Sequence, residues 1–308
     1  MLRKLTRCGG NPVITPDDGR GWEVGGTFNP GAAAADGVIH LLYRAVDGHG
    51  TSRLGYARSY DGGGISGRSV APVLEPSANW EEFGCEDPRI TRLNGGFYVT
   101  YTAYSQRGPR IALASTEDFS NFKKHGIVGP DVNDKDCVLF PEAIHGKVAL
   151  LHRLDGKIEI AYFESLEALE NSQDYWNSYL RNLEEFEVIR PRFHWEIRKV
   201  GAGTPPIKTA EGWLVIYHGV SAERVYRAGA LLLDLDNPRR VIARTREPIL
   251  EPEADFERLG VVPDVVFPNG AVVHQGELFV YYGGADRVCC TASVPFDAFL
   301  EELVNEKP

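Results

Sequence analysis

One arrangement of apolar and polar positions recurs five times along the chain. Each copy opens on a glycine, alternates apolar residues with others, and ends on a polar or small tip. The copies are 37–47 (GVIHLLYRAVD), 96–104 (GFYVTYTAY), 146–153 (GKVALLHR), 212–219 (GWLVIYHG) and 276–283 (GELFVYYG). Alternation with a period of two predicts half-buried strands. Successive glycines lie 50 to 66 residues apart, the span of one propeller blade with its loops.

Each copy has an upstream partner that contains a proline: 28–31 (FNPG), 86–89 (EDPR), 140–142 (FPE), 203–208 (GTPPIK) and 267–270 (FPNG). Proline lacks an amide donor and belongs at strand starts and edges, which is where the innermost strand of a blade begins. A third apolar run follows each copy, at 54–57, 111–115, 158–162, 228–233 and 289–293. Two further echoes, 72–76 (PVLEP) and 248–252 (PILEP), read as outer-strand segments. The expectation is an all-β, five-bladed β-propeller, with residues 1–308 as one catalytic domain. A sandwich is the alternative, and it leaves the fivefold recurrence unexplained. One interruption, about 165–199, carries Leu166, Leu169, Tyr175, Trp176, Tyr179 and Leu180 at spacings that suit a short amphipathic helix. It is expected to pack against a blade; a lid or a contact between copies in a homo-oligomer is the sharper reading.

Composition narrows the function classes. The formal charge of −10 argues against a nucleic-acid binder, which needs a basic footprint. No apolar run approaches a membrane span, and the basic start of the chain is followed by Gly9, Gly10, Asn11 and Pro12, where a signal peptide needs an apolar core. Five cysteines without C-x-x-C spacing read as reduced thiols in a cytoplasmic protein. The histidines show no metal-ligand spacing, so no metal is expected.

In a propeller the equivalent strand ends meet at the axis. The second-strand tips are then Arg44, Thr102, Arg153, His218 and Gly283, and the inner-strand starts are Asn29, Asp87, Glu142, Lys208 and Asn269. The stretch 83–90 (FGCEDPRI) sets adjacent carboxylates and an arginine beside a proline. Lys135, Arg153, Lys208 and His218 form a separate cationic set. Cations are expensive to bury unpaired, so several converging on one pocket imply an anion. Inverting hydrolysis of a glycoside needs an acid and a basic carboxylate roughly 6.5–9.5 Å apart. Phosphorolysis needs the acid alone, with cations to bind and orient phosphate.

The chain resembles glycoside hydrolase family 130, the β-mannoside phosphorylases and related β-mannosidases. The resemblance rests on 83–91 (FGCEDPRIT), 134–142 (DKDCVLFPE), 151–153 (LHR), 201–209 (GAGTPPIKT) and 212–219 (GWLVIYHG). It implies Asp87 as general acid and an inverting transfer of mannose from a short β-mannoside to phosphate, giving α-mannose 1-phosphate. By the same resemblance Lys135, Arg153, Lys208 and His218, with Tyr217, would hold phosphate. Asn29, Arg44, Asp47, Arg53 and Asp264 would contact mannose, with Glu86 and Arg89 beside Asp87. Tyr104, Tyr282 and Asp286 would line the acceptor side. Phosphate is expected as co-substrate, with no cofactor. The linkage stays open between β-1,2 to mannose and β-1,4 to glucose or N-acetylglucosamine. Two alternatives stand: an inverting β-mannosidase that pairs Asp87 with Glu142, and a non-catalytic carbohydrate-binding propeller.

Overall fold

A computed structural model describes residues 2–306. Five antiparallel blades follow one another around an axis, the first two joined by a single parallel pairing of Ser52 with Gly84. Blade 1 runs outward through Gly26–Ala35, Val38–Val46, Ser52–Ser59 and Gly67–Arg68. Blade 2 uses Gly84–Leu93, Gly96–Ser105, Gly108–Thr116 and Lys123–Ile127. Blade 3 uses Lys135–Leu139, Val148–Leu154, Lys157–Phe163 and Glu187–Ile189. Blade 4 uses Lys199–Ala202, Trp213–Val220, Tyr226–Leu233 and Val241–Arg244. Blade 5 uses Val266–His274, Glu277–Gly284 and Val288–Pro295, and its outer strand is Thr6–Arg7 from the start of the chain. The segments at 72–76 and 248–252 each touch a third strand through one bridge, Leu54 with Leu74 and Ala228 with Leu250.

The apolar faces meet between blades. Leu113 and Leu139 join blades 2 and 3, Val138 and Val215 join 3 and 4, and Ile216 and Val280 join 4 and 5. Tyr281 and Leu41 join 5 to 1, and Leu42 and Ile90 join 1 to 2. Five such interfaces close the ring, so every blade buries both faces. At the axis the inner strands pack backbone to backbone. A Cβ on Gly31 would lie 2.3 Å from the Pro88 carbonyl oxygen, and one on Gly270 would lie 2.4 Å from the Ala32 nitrogen. Only glycine fits such an approach.

The inner strands of blades 1, 2 and 3 bulge at Asn29, Asp87 and Asp136. These three adopt φ of 51°, 51° and 59°, a left-handed backbone that Asn and Asp tolerate best among non-glycine residues. The bulge re-aims each polar side chain toward the axis. The interruption forms helices Leu166–Glu170 and Gln173–Tyr179, then a 3-10 turn and the outer strand of blade 3. Trp176 is buried and its indole N–H donates to the Val128 carbonyl at 2.8 Å, so the insertion packs onto the ring.

Candidate active site

The hub assembles around Asp87, which is 2% exposed. Its Oδ1 accepts from Asn29 Nδ2 at 2.8 Å and from Arg44 Nη1 at 3.4 Å. Its Oδ2 lies 3.4 Å from Lys135 Nζ. Burial alone would raise this carboxyl; Lys135, Arg44 and Arg89 outweigh it and hold the group at about 2. Glu86 accepts from Arg44 Nη2 at 2.6 Å and from Ser52 Oγ at 3.2 Å. Its burial keeps its pKa above the ordinary value. Asp286 makes no side-chain hydrogen bond among the described residues. Burial, with Asp87 and Glu86 adding, pushes it up to about 6 against the pull of Arg44 and Lys135.

A second cluster adjoins the first across blades 3 and 4. Asp136 Oδ1 accepts from Arg89 Nη2 at 3.0 Å, while its Oδ2 forms an ion pair with Arg153 Nη1 at 2.8 Å and lies 3.6 Å from His218 Nε2. Burial works against its charge, yet Arg153, Arg89 and Lys135 hold its pKa well below the carboxylate range. His218 is fully buried against Phe267, with ring centroids 4.5 Å apart. Burial, with Arg153, Lys199 and Arg89, lowers its pKa well below that of a free imidazole, so it enters the site neutral. Lys199 opens the inner strand of blade 4, its Nζ 5.1 Å from the Tyr226 ring centroid. Burial and its cationic neighbours Arg153 and Lys135 push it down to about 8. Among the described residues it has no carboxylate partner within ion-pair distance. A cation in that position favours an incoming anion.

The structure therefore brings together Asn29, Arg44, Glu86, Asp87, Lys135, Arg153, His218 and Asp286. Arg89 joins them as a bolt: at 1% exposure it donates to the Asp87, Ala202 and Gly203 carbonyls as well as to Asp136, which leaves it no surface for a sugar. Tyr104 stands at the rim, 39% exposed, with its ring 5.3 Å from that of Phe83. Asp264 is half-buried at φ 58°, and its carbonyl accepts from the Tyr226 amide. Asp47 and Arg53 pair with each other at 2.7 Å; Asp47 also accepts from the His49 and Thr51 amides, and Arg53 reaches Glu75. They fix a loop and make no hydrogen bond or ion pair with a member of the Asp87 cluster among the described residues.

Four expected residues lie elsewhere. Lys208 pairs in register with Trp213, five residues along the strand from His218. At about 3.3 Å per residue that is about 17 Å. Its Nζ sits 2.5 Å from Glu142 Oε2, both side chains about half exposed. Glu142 thus stands beyond the far end of its inner strand, removed from Asp87, and cannot serve as a second hub carboxylate. The cause is one of register: the inner strand of blade 4 is Lys199–Ala202, and the proline-marked segment continues past it. Tyr217 and Tyr282 each precede a tip residue, so alternation turns them to the opposite face. Tyr217 donates to Glu196 at 2.7 Å and Tyr282 to Glu257 at 2.8 Å. Lys199, Asp136, Tyr226 and Ser52 are the site residues that sequence reasoning missed. The triplet Asp134-Lys135-Asp136 was the available signal for Asp136, since it stands where Glu86-Asp87 stands in blade 2.

Fold and hub together define a class: a five-bladed propeller in which a group of buried carboxylates, Asp87 among them, and a cation cluster share the axial site. The chain belongs to glycoside hydrolase family 130. The family model described as beta-1,4-mannooligosaccharide phosphorylase matches residues 12–305. A 1,2-beta-oligomannan phosphorylase of Thermoanaerobacter sp. (strain X514) is 41% identical over 296 residues, covering 92% of this chain and 95% of that one. The structure of a beta-1,2-mannobiose phosphorylase from Listeria innocua, in complex with beta-1,2-mannobiose, superposes with a TM-score of 0.82 at 30% identity, covering 97% of this chain and 99% of the other. Another structure, reported with the finding that this family of mannoside phosphorylases contains glycoside hydrolases that target beta-1,2 mannosidic linkages in Candida mannan, gives 0.84 at 29% identity, over 96% and 95% of the two chains. No helix among the described residues is long and apolar enough to cross a membrane, and no group of three potential metal ligands occurs among them.

Proposed function

We propose that the protein is an inverting β-1,2-mannoside phosphorylase that splits short β-1,2-mannosides with inorganic phosphate. The observation that carries this reading is the cation set Lys135, Arg153 and Lys199 beside the buried acid Asp87, with Lys199 lacking any carboxylate partner among the described residues. Phosphate is already a nucleophile and needs cations to seat it, not a second basic carboxylate. A phosphate oxygen bonds to the anomeric carbon on the face opposite the leaving group. The C1–O bond breaks, its electron pair stays on the leaving oxygen, and Asp87 supplies the proton, directly or through the mannosyl 3-hydroxyl. The products are α-mannose 1-phosphate and the shortened sugar.

Asp87 rests ionised because Lys135 and Arg44 hold it so. A phosphate that engages Lys135 competes for that ammonium and adds negative charge nearby. Both effects raise the proton affinity of Asp87 and prime it as an acid once the second substrate is bound. Arg44, Asn29 and Glu86 are assigned to the mannosyl hydroxyls, and Tyr104 with Phe83 to the acceptor side. The relatives named above favour the β-1,2 linkage. The five cysteines are free, which suits a reducing compartment such as the cytoplasm.

The test is the reverse reaction. Mannose 1-phosphate is offered with mannose, β-1,2-mannobiose, glucose and N-acetylglucosamine, and phosphate release is followed. Release with mannose and β-1,2-mannobiose is expected. Release only with glucose or N-acetylglucosamine would overturn the linkage, and release with none would overturn phosphorolysis.

A further inference from the structure

Four of the five blades share one internal device. A tyrosine on the second strand donates to a fully buried glutamate that precedes the blade's inner strand, and a cation on the outer strand neutralises that glutamate. The sets are Tyr43–Glu23–Arg68, Tyr101–Glu81–Lys124, Tyr217–Glu196–Arg244 and Tyr282–Glu257–Arg7. Blade 3 differs. His152 stands at the tyrosine's place, one residue before the tip Arg153, and Asp134 stands at the glutamate's place, one residue before Lys135. No cation from the outer strand joins them among the described residues.

The hydrogen-bond geometry around His152 points to how this blade is neutralised. Tyr179, on helix Gln173–Tyr179, donates its only hydroxyl proton to the Ile160 carbonyl at 3.0 Å. Its oxygen, 2.8 Å from His152 Nε2, is then the acceptor of an Nε2–H. On the other side Nδ1 lies 2.7 Å from Asp134 Oδ2, a carboxylate that accepts. With the Tyr179 hydroxyl donating to the Ile160 carbonyl, each ring nitrogen carries a proton. His152 and Asp134 are 0% and 1% exposed, so the pair sits out of water. Asp134 Oδ1 also accepts from the Arg153 amide at 3.2 Å. The remaining groups facing the imidazole are Glu159, across the strand pair, and the Trp176 ring, 5.2 Å between centroids. Burial disfavours the charge; Asp134 more than compensates, and the pKa of His152 is raised.

We propose that His152 is a positioning residue for phosphate: as an imidazolium clamped between Asp134 and Tyr179, it holds Lys135 and Arg153 in place and ties the helical insertion to the anion end of the site. Asp134 is peptide-linked to Lys135 and accepts from the Arg153 amide. Disturbing the clamp therefore moves both cations together while leaving Asn29, Arg44 and Glu86, on blades 1 and 2, untouched. This rests on the phosphorolytic reading above.

Two variants and one spectroscopic measurement test it. Tyr179→Phe keeps the ring and removes the acceptor; His152→Phe removes the charge. With folding checked by circular dichroism, KM for phosphate should rise about threefold in the first and about tenfold or more in the second, while KM for the mannoside stays within about twofold of wild type. Equal movement of both constants, or movement of neither, in a folded variant overturns the proposal. Nitrogen-15 shifts of the His152 ring in the wild-type protein at pH 7 should report two protonated nitrogens; a neutral tautomer overturns it whatever the kinetics. If wild-type turnover proves independent of phosphate, the phosphorolytic reading fails separately. Calorimetric binding of inorganic sulfate to wild type and both variants then replaces KM, with weaker sulfate binding expected and unchanged binding decisive against the proposal.

Discussion

Asp136→Asn isolates one charge at the centre of the cation cluster. The amide keeps the shape of the carboxylate but cannot neutralise Arg89 and Arg153, which now meet it at 3.0 and 2.8 Å. Arg89 is 1% exposed and has no route to water. Removing one partner of a buried ion pair costs about 3–5 kcal/mol, because the other charge is left uncompensated. Unfolding entropy of about 2.1 cal/mol/K per residue over 308 residues gives about 0.65 kcal/mol/K, so the melting temperature should fall by about 5–8 °C. The folded pKa of Asp136 lies far below its unfolded value of about 3.9. Its stabilisation is thus complete above that unfolded value and is lost as pH falls toward the folded one. The gap in melting temperature between wild type and variant should be constant from about pH 5 to 8 and narrow below about pH 4. An anion seated in the cluster would replace part of the missing charge, so phosphate should raise the melting temperature of the variant more than that of wild type. Differential scanning calorimetry across pH, with and without phosphate, reads all of this. A variant that melts within about 1 °C of wild type, with no extra response to phosphate, would refute the charge accounting at the hub.

Other outcomes follow from the same geometry. Asp87→Asn should lower kcat by about 10²–10⁴-fold with an unchanged circular dichroism spectrum, as judged by initial rates of phosphorolysis. Lys199→Ala should raise KM for phosphate about tenfold or more. Because the Lys199 ammonium is held down at about 8, its charge is lost as pH rises through that value. KM for wild type should therefore climb between about pH 7.5 and 9, and Lys199→Arg should flatten the climb. Lys208→Ala should leave both KM values unchanged, since it removes an exposed pair with Glu142 of the kind worth about 0–1 kcal/mol. Tyr282→Phe should cost about 1 kcal/mol of stability, measured by urea denaturation, through its lost bond to Glu257, with kinetics unchanged.

The architecture was legible because its period is long and its strands alternate. The glycine-led copies at 37, 96, 146, 212 and 276 each became, or led directly into, the second strand of a blade. The tips Arg44, Thr102, Arg153, His218 and Gly283 fall at the ends of those strands nearest the hub bulges. What the pattern could not carry was register. Proline marks the bulge beside Asn29, Asp87 and Asn269, but in blades 3 and 4 it falls after the inner strand. Glu142 and Lys208 accordingly lie at the end of the blades away from the hub, and Lys199, preceded by a 3-10 turn, carries no proline to mark it. Tyr217 and Tyr282 were displaced by a single residue, which in a strand means the opposite face. The His152–Asp134–Tyr179 clamp joins three segments distant in sequence and becomes visible only when blade 3 is compared with the other four.

The central claim is that phosphate, not water, is the nucleophile at this hub. Incubating β-1,2-mannobiose with the wild-type protein and following proton and phosphorus-31 NMR, with and without inorganic phosphate, tests it directly. The account predicts α-mannose 1-phosphate and mannose in equal amounts when phosphate is present, and negligible cleavage without it. Free mannose formed at the same rate in both samples, with no phosphate ester, would contradict it.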